Sequence, residues 1–186
     1  MAVIEPIPWD EVPVESRAMF REGLATGMYT TPIPLQIMAY SSSALQALND
    51  AYRATFRRGV LDERLVELLR LRSAEAGGCA MCMASRKDPT VSEGDAACLM
   101  EPDPERFTAR ELAALRFFDL LAYDHLQIGP DTYRELATLF STAEIMEIGQ
   151  LCAISIGTHR FMHTLDIGTT RDPVISFDAD QIDRRT

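Results

Sequence analysis

The stretch LDERLVELLRLRSAEAGGCAMC, residues 61–82, decides the fold. Leu65, Val66, Leu68, Leu69 and Leu71 recur at helical spacing, and Gly77 supplies a stop, so the spacing predicts a helix from Asp62 to Glu75. Behind the glycine pair Gly77-Gly78 comes Cys79-Ala80-Met81-Cys82, which opens a second, shorter helix over residues 78–87. Asp88-Pro89 ends it, because the residue before a proline disfavours the helical region. Two thiols three residues apart on a helix share one face, so their sulfurs can meet in a disulfide. A thiol at a helix N-terminus also feels the positive end of the dipole, which favours its thiolate.

The same helical grammar extends in both directions. Upstream, residues 1–13 carry Pro6, Pro8 and Pro13 and read as an extended arm anchored by Trp9, placed to clasp a neighbouring chain. A helix follows from Val14 to Thr26, and Gly27 closes it. Residues 35–58 read as one helix through Leu35, Met38, Leu45, Leu48, Tyr52 and Phe56, closed by Gly59. Downstream, Ser92 with Asp95, Thr108 with Glu111 and Ser141 with Glu144 have the spacing of capping boxes. Pro130 starts a helix to Phe140. The last helix runs past Arg160 to Leu165, and Gly149 and Gly157 within it predict close helix contact. Residues 169–186 read as a polar tail pinned by Val174, Ile175 and Phe177. No segment shows convincing strand alternation. The organisation expected is an all-α, single-domain helical bundle over residues 14–168, with an arm at 1–13 and a tail at 169–186.

Bulk composition narrows the function classes. A length of 186 residues with 47% apolar content suits one domain with a sizeable core and excludes disorder. Four cysteines are too few for a disulfide scaffold. Cys98 and Cys152 stand alone in apolar surroundings and read as core residues. The N-terminus lacks a basic start followed by an apolar run, so no signal peptide is expected. Residues 145–156 are interrupted by Glu147 and Gln150 and fall short of the ~20 residues a membrane span needs. The expectation is a cytoplasmic protein with no membrane partner. The formal net charge of −10 argues against nucleic acid, whose phosphates require Lys and Arg opposite them. No G-x-G-x-x-G or Walker pattern is present, so no nucleotide cofactor is expected.

Three readings of Cys79 and Cys82 stand on the residues alone: a redox dithiol, half of a zinc site, or a structural coincidence. Zinc needs four ligands, and the chain adds only Cys98, Cys152 and three scattered histidines. In a reducing compartment the redox reading leads. Arg86, four residues after Cys82, would lie one turn on along the same helix face. Glu67, twelve residues before Cys79, points toward the sulfurs if the two helices fold back through Gly77-Gly78. His159 and His163 share a helix face, but the zinc-protease pattern needs Glu where this chain has Arg160. His125 falls in a loop between helices. The methionines read as core filler.

Glu67, eleven residues, then Cys79-x-x-Cys82 in a leucine-rich helix leading to Gly-Gly resembles the alkylhydroperoxidase D / carboxymuconolactone decarboxylase superfamily over residues 61–168. That resemblance implies an all-helical fold, a reactive pair at Cys79 and Cys82, and a proton relay that begins at Glu67. The relay histidine of the family falls at Arg86. An arginine stays charged, with a pKa above roughly 12, so it stabilises a thiolate by charge without taking its proton. His125 is a spatial candidate for the missing histidine. The activity implied is peroxidase-like: a hydroperoxide substrate, a dithiol/disulfide cycle and an external dithiol reductant. Homo-oligomerisation is implied as well. A decarboxylase-like lyase and a non-enzymatic redox sensor are the alternatives.

Overall fold

A computed structural model of the chain describes residues 3–57 and 59–166. Among these residues the secondary structure is helical throughout, with no strand. In chain order the helices are α1 (Val14–Ala25), α2 (Ile33–Met38), α3 (Ser42–Arg57), α4 (Glu63–Ala76), α5 (Ala80–Ala84), α6 (Glu93–Ala97), α7 (Ala109–Tyr123), α8 (Pro130–Ala137) and α9 (Thr142–Thr164). Single 3-10 turns lie at Trp9–Glu11 and His125–Gln127. No helix among the described residues is long and apolar enough to cross a membrane.

The helix starts follow the chemistry of their first residues. Asp62 Oδ1 accepts the Leu65 N–H at 2.9 Å and caps α4. The three capping boxes, at Ser92, Thr108 and Ser141, all form and begin α6, α7 and α9.

Four expectations are corrected. Residues 35–58 are not one helix. The chain breaks after α2, and Ser41 Oγ accepts the Ala44 N–H to start α3, because serine side chains compete for the backbone and favour caps. The Cys-x-x-Cys helix is only Ala80–Ala84, and Ser85 is already extended at φ −74°, ψ 138°. The helix begun at Pro130 ends at Ala137. Gly149 and Gly157 face open space and mark no helix contact. The expectations for residues 169–186 lie outside the described residues.

Helix α4 runs through the middle of the bundle, between α7 and α9. Its Leu65, Leu68 and Leu69 pack with Leu115 and Phe118 of α7 and with Ile148 and Leu151 of α9, all fully buried. Each such side chain contributes roughly 2 kcal/mol on burial. A second core joins Phe20, Leu24, Leu35 and Leu45, and the arm closes over it. Trp9 packs on Phe20 with centroids 5.5 Å apart, Val12 is 1% exposed, and Gln36 Nε2 donates to the Ile7 carbonyl at 2.8 Å. The arm thus docks on its own chain.

Candidate functional site

Cys79 is the residue that caps α5. Its N–H donates to the Ala74 carbonyl at 2.9 Å, and its own carbonyl accepts the Met83 N–H at 2.9 Å. Cys79 and Cys82 are joined in a disulfide with their Cα atoms 5.3 Å apart, inside the range a disulfide spans without backbone movement. The two sulfurs differ in access. Cys79 is 4% exposed and packs with Ile37, Leu48, Met162 and Leu165, whereas Cys82 is half-buried and lines a cleft. Cys98 and Cys152 are free thiols away from this cleft, and burial pushes the Cys152 thiol well above its ordinary range.

The glycine pair before the motif lets α9 come close. A Cβ on Gly77 would stand 2.8 Å from the His159 Cβ and 3.1 Å from its carbonyl carbon. Gly78 has φ +66°, a conformation that disfavours a side chain. The two α9 histidines therefore flank the turn. His163 Nδ1 is 3.0 Å from the Gly78 carbonyl oxygen. His159 is 2% exposed, lines the cleft, and shares a 2.9 Å hydrogen bond between Nδ1 and Ser73 Oγ. Burial first, then the charges of Arg70 and Lys87, hold its pKa down to about 3, so the ring is neutral.

Glu67 is 2% exposed and Arg70, one turn on, is 3% exposed. They form a bidentate pair: Arg70 Nε donates to Oε2 at 2.6 Å and Nη2 to Oε1 at 2.7 Å. Arg70 also donates to the carbonyls of Cys82 and Ser85, each at 2.8 Å. The Lys87 N–H completes the carboxylate at 2.9 Å. A buried ion pair is tolerated only when its remaining donors and acceptors are met, and these bonds meet them. The pair fastens α4 to the last turn of α5 and to the chain leaving it. Glu67 is thus linked to the motif through Arg70.

Arg86 lies beyond the end of α5, so it does not share a helix face with Cys82. Its guanidinium donates to Glu93 at 2.8 and 2.7 Å and turns back to the Met83 and Ser85 carbonyls. His125 is exposed in the turn between α7 and α8 and is not among the residues lining the cleft.

Beside Cys82 the cleft is lined by apolar Met28, Met81 and Met162 and by polar Tyr29, Tyr52 and Lys87. Tyr29 and Tyr52 stack with centroids 5.4 Å apart and planes at 16°. Lys87 Nζ sits over the faces of Tyr52 and Phe56, at 5.5 and 5.2 Å from the centroids. Free volume in the cleft is ≈ 40 Å³, about three times what one water requires. Arg70, Tyr29, Lys87 and His159 are the site residues that sequence reasoning missed. Arg70 left a signal, a cation within an apolar run three residues from an acid, and His159 showed only as one of a helix-face pair with His163.

No protein-family profile and no curated protein sequence matches the chain. Solved structures do. An uncharacterized peroxidase-related protein with an alkylhydroperoxidase AhpD core, from Ralstonia eutropha JMP134, is 16% identical, covers 90% of this chain and 96% of its own, and superposes with a TM-score of 0.73. A second uncharacterized peroxidase-related protein, from Silicibacter sp. TM1040, is 16% identical over 87% of this chain and 88% of its own, with a TM-score of 0.66. The debrominase Bmp8, in a cysteine-to-alanine form in complex with 2,3,4-tribromopyrrole, is 18% identical, covers 98% of each chain and has a TM-score of 0.74. The chain has the alkylhydroperoxidase D-like fold.

Proposed function

We propose, from the premise of an alkylhydroperoxidase D-like fold, that the chain is a thiol-dependent peroxidase cycling Cys79 and Cys82 between dithiol and disulfide. The observation that carries the reading is the asymmetry of the pair: Cys82 opens on the cleft, and Cys79 sits behind it within bonding reach. The Cys82 thiolate attacks the distal oxygen of a hydroperoxide. The O–O bond breaks, the alcohol leaves, and the sulfur becomes a sulfenic acid. Cys79 then displaces water from that sulfur, forming the disulfide. An external dithiol reduces it by exchange at the more accessible Cys82.

Three buried side chains support this cycle. Glu67 and Arg70 are positioning residues, since their hydrogen bonds hold the Cys82 carbonyl and the exit of α5. Proton transfer, which Arg86 cannot perform, falls to His159. Its neutral ring lines the cleft and shares a hydrogen bond with Ser73, so it passes a proton along without storing one.

Reduced protein mixed with an organic hydroperoxide is expected to consume one equivalent and gain one intramolecular disulfide, read by intact-mass spectrometry. Cys79→Ser and Cys82→Ser are each expected to abolish turnover, and full activity in both would sink the reading.

The similarity to a debrominase over 98% of both chains favours one second reading. In it the same dithiol gives two electrons to a carbon–halogen bond, releasing halide and the dehalogenated ring as the disulfide forms. This reading ranks second because it rests on a likeness in fold alone. Halide release from a brominated pyrrole without hydroperoxide turnover would reverse the order.

A further inference from the structure

Tyr29 carries a hydroxyl that the fold has no use for. The residue is 5% exposed, and its oxygen is buried with no hydrogen-bond partner among the described residues. Buried hydroxyls are nearly always paired, so an orphan in a cleft points to a partner that arrives with a ligand.

The surroundings hold that hydroxyl in place. The Tyr29 N–H donates to the Gly23 carbonyl at 2.9 Å. A Cβ on Gly23 would stand 2.6 Å from Tyr29 Cδ2, so the bare backbone there is what admits the ring. On one side Met28 accepts the Lys87 ammonium through its carbonyl, and on the other Thr30 Oγ1 donates to Ser85 Oγ at 3.1 Å. The residues flanking Tyr29 are therefore tied to the same chain, 85–87, that Arg70 and Glu67 fix to the dithiol helix. The ring stacks on Tyr52. Burial first, and then the neighbouring Tyr52 hydroxyl, raise Tyr29 well above the ordinary phenol range, so it remains a protonated donor.

We propose that the Tyr29 hydroxyl is the hydrogen-bond donor for the oxygen that leaves when Cys82 cleaves a hydroperoxide, and that it selects hydroperoxides with a compact apolar group. This rests on the peroxidase reading above. The Cys82 thiolate forms a bond to the distal oxygen, and the O–O pair of electrons moves to the proximal oxygen. Sulfur is oxidised and the peroxide reduced. Charge develops on the proximal oxygen, where the Tyr29 O–H stabilises it until the proton given up by the thiol completes the alcohol. The ring that carries the donor is held by Gly23 and Tyr52 before the reaction. The apolar faces of Met28, Met81 and Met162 accommodate the organic group.

Tyr29→Phe removes one oxygen and keeps the ring. Its test is stopped-flow oxidation of the reduced protein by two oxidants, tert-butyl hydroperoxide, which leaves a basic alkoxide, and peracetic acid, which leaves acetate. The expected result is a rate constant lower by about 100-fold for the first and by no more than about 3-fold for the second, because the donor acts on charge that acetate already disperses. Alkylation of Cys82 by iodoacetamide should keep its wild-type rate. The melting temperature should hold or rise by a few degrees, since an unpaired buried hydroxyl is lost. Equal loss on both oxidants, no loss on either, or slowed alkylation would overturn the role of Tyr29 and leave the peroxidase reading standing. Inertness of the wild-type protein to both oxidants would overturn both together.

Discussion

His159 is kept neutral by the burial that also puts it on the dithiol cleft, and that neutrality has a cost in acid. Its pKa is about 3 in the native state, against an ordinary histidine value of ~6.5 once unfolded. Between those values the unfolded chain binds a proton that the native chain does not, so stability is complete above the upper value and falls as pH falls toward the lower. The slope from this one residue is at most about 1.4 kcal/mol per pH unit. His159→Gln should flatten the fall in thermal stability between pH 6.5 and 4 and slow dithiol oxidation about 100-fold; an unchanged slope would remove histidine burial as its cause. Arg70 acts in the opposite manner, as a charge whose neighbours depend on it. Arg70→Lys leaves the Cys82 or Ser85 carbonyl short of a donor and breaks the fork that holds Glu67. We expect a loss of about 3 kcal/mol in denaturant unfolding. That Cys79 and Cys82 meet was legible in the sequence because their spacing is local, whereas Glu67, twelve residues away, stood out only through the family resemblance. Arg70 was legible only as a cation three residues from Glu67, because two of its partners are backbone carbonyls that no side-chain pattern encodes.

Helices carry their ends in their sequence and their neighbours in their glycines. Gly77 is the place where the end of α4 meets α9, and its missing side chain sets the distance. Gly77→Ala must displace His159, so a stability loss of about 2 kcal/mol is expected together with slower dithiol oxidation. A variant as stable and as active as wild type would show that α9 yields freely. The capping boxes make a second prediction. Ser141 N–H, then Arg110 and Ser141 Oγ, hold Glu144 at about 2, below its ordinary 4.5. Burial opposes ionisation of Asp95, yet Ser92, Arg106 and Arg64 bring it to about 2, below 3.8. The stability from both is present above pH ~4.5 and lost as pH falls toward 2. Glu144→Gln and Asp95→Asn should each lower the melting temperature at pH 7 by a few degrees and weaken its acid dependence. All three boxes were legible, since Ser or Thr followed three residues on by an acid is a local code. The break at Ser41 and the early end of α5 were not. Apolar spacing runs across the first, where only the competition of serine for the backbone interrupts it, and the polar run after Ala84 carries no spacing to mark where the helix gives way to the extended Ser85.

Among the described residues the bundle has three apolar clusters, and the dithiol belongs to the smallest, with Ile37 and Leu48 on one side and Met162 and Leu165 of the α9 end on the other. Around the leucines of α4 the largest core follows from periodicity alone. Nothing in periodicity assigns the arm, because proline-rich extended chain has no repeat to read and Trp9 is as suited to a neighbour as to its own chain. The packing decides it. Val12 is fully buried beneath α1, Arg17 Nε donates to the Val12 carbonyl at 3.0 Å, and Tyr40 Oη donates to the Glu5 carbonyl at 3.2 Å. At the far end the Val3 N–H reaches the Leu165 carbonyl at 2.9 Å, so the arm spans from the second core to the C-terminal end of α9. Deleting residues 1–13 uncovers Phe20 and Leu35, both 0% exposed, and removes the burial of Ile7, Trp9 and Val12. On the area scale this is worth about 4 kcal/mol. We expect the truncated chain to unfold at a lower denaturant midpoint while its helical circular dichroism and its sedimentation mass stay those of the full chain. An unchanged midpoint with an altered mass would mean that the arm's apolar residues serve a second copy, and the intramolecular docking would then be the lesser of two arrangements.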